Sequence, residues 1–147
     1  MINLYTIGFA GKSAEKFFSL LQQAGVSRII DTRLNNVSQM SGFAKATDLK
    51  FFAKVIGNID YIHRLDFAPT KELLDQYRQK HLTWVEYEVA YLNLLKRRGI
   101  AQKIDIEMLE NSCLLCSEHS PGYCHRRLLA DYLCRVKGGI DVYHLVD

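Results

Sequence analysis

The segment LLCSEHSPGYCHRRLLADYL, residues 114–133, carries an unusual concentration of side chains that can do chemistry. It begins as an apolar run and ends as an amphipathic helix pattern, so the reactive types lie at a predicted strand-to-helix junction. They are two cysteines, a glutamate, two histidines and two arginines, and the candidates for a site among them are Cys116, Glu118, Cys124, His125 and Arg126. In such a set the arginine can hold a phosphate or carboxylate, the acid can act as a base and the histidine can transfer protons.

The sequence leaves the role of the two cysteines open. A thiol at a helix N-terminus beside His125 and Arg126 has a lowered pKa, which makes Cys124 a candidate nucleophile. A structural or ligand-contacting role for Cys116 and Cys124 is an equal alternative. A zinc site that includes His119 is a third, but the spacing matches no standard zinc module, so we expect no metal.

Two further charged residues, Asp31 and Arg33, end a second apolar run, VSRIIDTR. They are either a local ion pair or members of the same site, and the sequence favours neither interpretation. As site members, Asp31 would be a general base or hydrogen-bond acceptor, and Arg33 a second cation for an anionic ligand. Gly8 ends the first apolar run, and three polar residues lie near the end of a third: His63, Arg64 and Asp66.

All these residues lie at or near the ends of predicted β-strands. Apolar runs rich in β-formers predict strands at residues 2–10, 26–33, 60–68, 112–118 and 141–146. Helical spacing and capping signals predict helices at 14–24, after Thr47 or Asp48, after Thr70, from Thr83 to about Arg98, and at 124–137. This order predicts an α/β fold: one domain over residues 1–147, with an open, mainly parallel sheet and helices on both faces, a Rossmann-like three-layer sandwich.

The predicted topology brings the polar residues to one place, because ligands of open parallel sheets bind outside the carboxyl ends of the strands. We therefore expect an anion-binding or enzymatic site at this edge for a phosphate-bearing small molecule or nucleotide, with no cofactor specified. The binding residues would be Gly8, Arg33, Cys116 and Arg126, and the catalytic ones Cys124, His125, Glu118 and Asp31. The alternative is nucleic-acid binding without catalysis, through the basic stretches TRLNN, HRL and CHRR and nearby tyrosines.

Length and composition limit the classes of protein that need to be considered. The chain has 147 residues, 48% of them hydrophobic, which suits one domain with a normal core. The net charge of +3, from 19 basic and 16 acidic residues, is too mild for a histone-like nucleic-acid binder. No apolar stretch has the length of a membrane span, and no secretory signal is evident. We expect a cytoplasmic protein with reduced thiols and no membrane partner.

Three stretches of the sequence resemble the domain-of-unknown-function 488 (DUF488) family: YTIGFAGKSAEKFFSLLQQAGVSRIIDTR, LLCSEHSPGYCHRRLLADYL and the closing VYHL. The family pattern has a TIGxS-like first strand, a DVR-like second strand and a C-x-E…C-H-R segment. The third element is matched in order by Cys116, Glu118, Cys124, His125 and Arg126. Thr32 replaces the usual valine of the second element, and Phe9-Ala10 replaces the commoner His-Ser. The resemblance implies the α/β fold and a site at these residues, but no particular reaction.

Overall fold

The sheet of this protein consists of parallel strands. A computed structural model describes residues 1–36, 42–118 and 122–146. Within these residues there are five strands: β1 Ile2–Gly8, β2 Arg28–Asp31, β3 Asp60–His63, β4 Ser112–Cys116 and β5 Ile140–Leu145. They are all parallel and follow the order β3-β2-β4-β1-β5 across the sheet. The predicted α/β class with a parallel sheet is confirmed.

Helices connect the strands. They are α1 Ala14–Ala24, α2 Ala46–Gly57, α3 Lys71–Arg78, α4 Trp84–Arg97, α5 Ile100–Lys103 and α6 His125–Lys137. Short 3-10 turns lie at Gly42–Ala44, Leu65–Phe67 and Ile106–Leu109. None of the helices in the described part of the chain combines the length and the apolar character that crossing a membrane requires.

The helices cover both faces of the sheet and form two cores. On one face, Phe17 and Leu21 of α1 and Leu49 of α2 pack with Ile29. On the other face, the helices α3 to α6 contribute residues such as Leu73, Tyr91, Ile100 and Leu129. Because successive strand residues point to opposite faces, Ile30 enters this second core although Ile29 enters the first. This is the three-layer arrangement that the order of elements predicts.

Local signals in the sequence set both ends of α1 and the start of α3 as expected. The Ser13 hydroxyl accepts a hydrogen bond from the backbone amide of Lys16 at the start of α1. Gly25 ends that helix with φ 76°, a left-handed conformation that glycine adopts without steric cost. Thr70 caps α3 by accepting from the amide of Leu73.

The capping box at the start of α4 gives a first testable prediction. The Thr83 hydroxyl accepts from the Glu86 amide, and the Glu86 carboxylate accepts from the Thr83 amide. We expect Thr83→Ala to lower the free energy of unfolding in urea by about 1 kcal/mol. Thr47→Ala is the matched control, because Thr47 lies inside α2 and is not its cap, so its effect should be below about 0.5 kcal/mol. Equal losses in the two variants would contradict this role of the box.

The third predicted strand is shorter than the sequence indicated. β3 ends at His63, and the 3-10 turn Leu65–Phe67 follows. The backbone turns there because the Arg64 carbonyl accepts a hydrogen bond from the Phe67 amide, which closes a local turn instead of a sheet ladder. The spacing of apolar residues is the same for a strand and for such a turn, so the sequence could not show that β3 ends at His63.

The start of α2 also differs from the prediction. Neither Thr47 nor Asp48 is its cap, since the helix begins at Ala46 after Lys45, which makes no side-chain capping bond. Asp48 lies in the first turn instead, where a negative charge complements the helix dipole.

Candidate functional site

The candidate site lies where two neighbouring strands lead the chain in opposite directions. β1 and β4 are adjacent, and Gly8 is paired with Cys116 at their carboxyl ends. From β1 the chain enters α1 on one face and goes on to β2. From β4 it enters α6 on the other face and goes on to β5. Such a topological switch point is where open parallel sheets bind ligands. We call the residues packed here the switch-point cluster: Gly8, Cys116, Glu118, Cys124 and Arg126.

The Arg126 side chain is the centre of this cluster. It belongs to the first turn of α6 and is 0% exposed. Its Nη1 donates to the main-chain oxygen of Glu118, and lies 3.2 Å from Cys116 Sγ and 3.9 Å from Cys124 Sγ. Its Nε approaches the Thr6 hydroxyl oxygen at 3.4 Å. Burial lowers the pKa of Arg126 to about 10, so the guanidinium is still charged at neutral pH.

Gly8 permits this packing because it has no side chain. A Cβ atom at this position would overlap the main-chain oxygen of Glu118 and would lie 2.5 Å from Arg126 Nη1. The β1 backbone therefore touches Glu118, in the connection that follows β4, at the predicted site residue Gly8.

Cys116 and Cys124 are joined in a disulfide, with their Cα atoms 7.7 Å apart. The expectation of reduced thiols is therefore wrong for this pair, and it holds only for Cys113 and Cys134, which are free. The sequence could not show the pairing, because the two cysteines are eight residues apart and belong to different elements. As a disulfide, Cys124 has no thiolate, so its predicted nucleophilic role requires the reduced pair.

His125, the first residue of α6, is bound to the end of β2. Its Nε2 lies 2.9 Å from the Thr32 carbonyl oxygen and 3.0 Å from the Thr32 hydroxyl oxygen. The hydroxyl donates its own hydrogen to the Leu115 carbonyl at 2.8 Å, so toward His125 it accepts. Nε2 therefore carries the hydrogen of the neutral ring, and Nδ1 is left as an acceptor nitrogen. Burial lowers the pKa of His125 to about 4, and the nearby charge of Arg126 acts in the same direction.

The lowered pKa of His125 predicts a specific pH dependence of stability. The pKa of this histidine is near 6.5 in the unfolded chain and about 4 in the folded protein. At pH values between these two, the unfolded chain binds a proton at His125 that the folded chain does not. Acidification from about pH 8 to about pH 5 should therefore reduce the free energy of unfolding by about 2 kcal/mol through this residue. His125→Gln keeps an amide donor for Thr32 but does not titrate, and urea unfolding at both pH values should show the smaller loss in this variant. The same loss in both proteins would contradict the prediction.

Asp31 and Arg33 are paired with one another. Arg33 Nη2 lies 2.7 Å from Asp31 Oδ2, Arg33 Nε donates to Oδ1, and the Arg33 amide also donates to Oδ1. Tyr61 donates to Oδ2 at 2.5 Å, and burial together with this bond raises its pKa to about 12. Arg33 also donates to the Ala44 carbonyl and stacks on the Phe9 ring at 5.2 Å. Because the carboxylate accepts four hydrogen bonds at 0% exposure, the pairing favours the structural interpretation of both residues.

The polar residues at the end of β3 and just after it also bind to other parts of the protein. The His63 Nε2 donates to the Arg33 carbonyl at 2.6 Å, which ties the ends of β2 and β3 together. Arg64 pairs with Asp66 at 2.6 Å, and the hydrogen bond lowers the pKa of the Asp66 carboxyl. Arg98, from the basic end of α4, donates to the main-chain oxygens of Asp66 and Ala68. These contacts stabilise the rim of the sheet edge.

The remaining predicted residues lie partly outside the cluster. Glu118 contributes its main-chain oxygen to Arg126, while its side chain is exposed. His119, considered as a zinc ligand, lies outside the described residues. Within residues 1–36, 42–118 and 122–146, no three histidine, cysteine or acidic side chains are grouped to hold a metal ion.

Two open cavities lie elsewhere on the molecule. One, of about 390 Å³, lies between α4 and α6, and the other, of about 470 Å³, lies between α1 and α2. None of the predicted site residues lines either of them. The switch-point cluster is instead a packed group, in which Cys116, Cys124 and Arg126 are at most 3% exposed.

Several residues of the site were missed in the sequence. Thr6 contacts Arg126 and also bonds to the His144 Nδ1 at 2.6 Å, and Thr32 holds His125. Both threonines are fully buried. The available signal was a polar residue inside an otherwise apolar strand pattern. Lys12, in the turn after β1, is also buried, at 6% exposure.

Comparison with known proteins assigns the chain to a family. Neither the curated proteins nor the solved structures gave a match. A family model described as "Domain of unknown function DUF488" matches residues 13–133, which includes the β2 end and the whole Cys116–Arg126 segment. The match leaves out β1 and β5, although the motifs quoted from the sequence include residues of both strands. Since it covers most of the 147 residues, the chain belongs to the DUF488 family.

Proposed function

We propose that this protein binds a small anion, bearing a phosphate or carboxylate group, at the switch point between β1 and β4. The observation that carries the proposal is the guanidinium of Arg126, which belongs to the first turn of α6 and is buried at the carboxyl end of the sheet. Charge-assisted hydrogen bonds from arginine to such anions are strong, and the low dielectric of a buried site strengthens them further. The start of a helix also favours negative charge.

The anion would replace a neutral partner of Arg126. Nη1 now donates to the Glu118 carbonyl oxygen, and an anionic oxygen in that position would be the stronger acceptor. The anionic oxygen would take the place of the Glu118 oxygen next to the Gly8 backbone, a position that is open to a ligand or to Glu118 only because Gly8 has no side chain. Lys12, in the turn after β1, is a second buried basic residue.

Catalysis, if the bound anion is a substrate, would use neighbouring groups. The neutral His125 offers Nδ1 as a proton acceptor, and the reduced Cys124 would be the nucleophile. Asp31 is not suited to the predicted role of general base, because its four hydrogen bonds occupy the carboxylate. Glu118, with an exposed carboxylate, is the acid or base that a ligand at the rim would meet.

The structure gives less support to nucleic-acid binding. Two of the basic stretches on which it depends, TRLNN and HRL, have their arginines in ion pairs: Arg33 with Asp31 and Arg64 with Asp66. A phosphate backbone would have to compete with these carboxylates. Among the tyrosines of that hypothesis, Tyr123 is largely exposed, whereas Tyr61 is bound to Asp31.

The proposal is tested by calorimetric titration of the reduced protein, at low salt, with orthophosphate, a nucleoside 5′-monophosphate and a short DNA oligonucleotide. We expect one saturable site for phosphate or the nucleotide. If neither phosphate nor the nucleotide binds with saturation, the proposal is refuted. Oligonucleotide binding that weakens steeply with salt, without binding of the small anions, would favour the nucleic-acid alternative instead.

A further inference from the structure

We propose that Cys116 and Cys124 are a redox-active pair, which a hydroperoxide converts from two thiols into a disulfide. This activity does not depend on anion binding. Cys116 is the last residue of β4 and Cys124 the N-cap of α6, and the two sulfurs are joined across a separation of eight residues. The pair is thus part of the switch-point cluster and is not a staple between distant elements.

The surroundings of the pair favour thiolates. Arg126 Nη1 lies 3.2 Å from the sulfur of Cys116 and 3.9 Å from that of Cys124, and one buried cation therefore faces both. As N-cap of a helix of 13 residues, Cys124 also lies at the positive end of its dipole. An adjacent arginine and a helix N-terminus each lower the pKa of a thiol, and the thiolate is the reactive form.

The other two cysteines have different environments. Cys113 lies on the opposite face of β4 in the core with α1 and α2, and burial raises the pKa of its thiol. Cys134 lies near the end of α6, at the negative end of the dipole, and burial and two neighbouring carboxylates raise the pKa of its thiol. Both are therefore expected to stay protonated and slow to react.

The reaction proceeds in two steps. The Cys124 thiolate attacks one oxygen of the hydroperoxide, the O–O bond breaks, and Cys124 sulfenic acid forms while the alkoxide takes a proton and leaves as an alcohol, or as water from hydrogen peroxide. The Cys116 thiolate then attacks the Cys124 sulfur, the S–O bond breaks, and hydroxide leaves with a proton as water. Two electrons pass from the sulfurs to the peroxide, and an external dithiol must return them to restore the thiols.

The burial of the pair selects a small oxidant. Cys116 is 2% exposed and Cys124 3% exposed in the disulfide form. Hydrogen peroxide or a small alkyl hydroperoxide fits such a position better than the exposed disulfide of another protein. The direct assay therefore uses hydrogen peroxide itself.

The experiment starts from the fully reduced protein, freed of reductant and exposed to a small excess of hydrogen peroxide at neutral pH. Thiols are counted under denaturing conditions over time, and the linkage is mapped by mass spectrometry of peptides. We expect two of the four thiols to disappear, at least about tenfold faster than free cysteine reacts, with a disulfide that joins Cys116 to Cys124. A dithiol should restore all four.

Variants separate the role of Cys124, which attacks the peroxide, from that of Cys116, which attacks the sulfenic acid. Cys116→Ser should leave a sulfenic acid on Cys124 that dimedone traps, Cys124→Ser should lose the fast reaction, and Cys134→Ser, as the matched control, should react like the natural protein. Two results would overturn the proposal: oxidation no faster than that of free cysteine, or a disulfide that includes Cys113 or Cys134. Both can be measured on the natural protein, without any variant. Phosphate titration of the reduced protein reports on the anion site alone, so each proposal can fail without the other.

Discussion

Gly8→Ala is expected to destabilise the protein by more than about 3 kcal/mol. The added Cβ would overlap the main-chain oxygen of Glu118, and backbone atoms cannot rotate away as the end of a flexible side chain does. Either β1 or the connection after β4 must move, and with it the oxygen that now holds Arg126. Urea unfolding measures the loss, and phosphate affinity should fall with it because the cluster is displaced.

Gly42→Ala is the control for this substitution. A Cβ at Gly42 meets no atom within 4 Å, and the change should therefore alter stability by less than about 0.5 kcal/mol. If the two variants are equally stable, the close approach of β1 to the β4–α6 connection does not exist in solution, and the geometry of the switch point has to be revised.

Arg126→Met is expected to weaken phosphate binding at least about tenfold. A charge-assisted hydrogen bond contributes about 1.5–3 kcal/mol, and each 1.4 kcal/mol is about tenfold in affinity. Methionine fills a similar space without charge or donors. The variant should also lose about 1–3 kcal/mol of stability, because the Glu118 carbonyl and the Thr6 hydroxyl each lose the donor that Arg126 supplies.

Arg135→Met is the matched control for the charge. It lies on the same helix, is exposed, and lowers the net charge of the protein by the same amount. Phosphate affinity should remain close to that of the natural protein. An equal loss in both variants would mean that phosphate responds to the overall charge and not to a site at Arg126.

Much of the fold could be predicted because its signals are local. Ser13, Gly25, Thr70 and the Thr83–Glu86 box each fix a helix end through hydrogen bonds within a few residues. The apolar runs gave the strands, and the alternation of strand and helix gave a parallel sheet. The shortened β3 was missed because a 3-10 turn and a strand carry the same apolar residues at this length.

The site could be predicted only in part. The rule for parallel sheets placed Gly8, Cys116 and Arg126 at one edge, and the structure brings them together. The sequence could not show that Arg33 would pair with Asp31 and not with a ligand, since the pair is held by Tyr61 and Ala44 from other segments. Nor could it show the Cys116–Cys124 pairing, because no regular strand or helix geometry brings residues eight apart together. The buried role of Thr6 was also hidden, because its partner Arg126 lies 120 residues further along the chain.

The central claim is that an anion binds at Arg126 beside the start of α6. The most direct test is a phosphate titration of the ¹⁵N-labelled, reduced protein followed by two-dimensional NMR. We predict that the Nε–Hε signal of Arg126 and the backbone amide signal of His125 shift together and saturate at one concentration. If these two signals stay in place while exposed lysines shift without saturation, or if nothing shifts, the claim is contradicted.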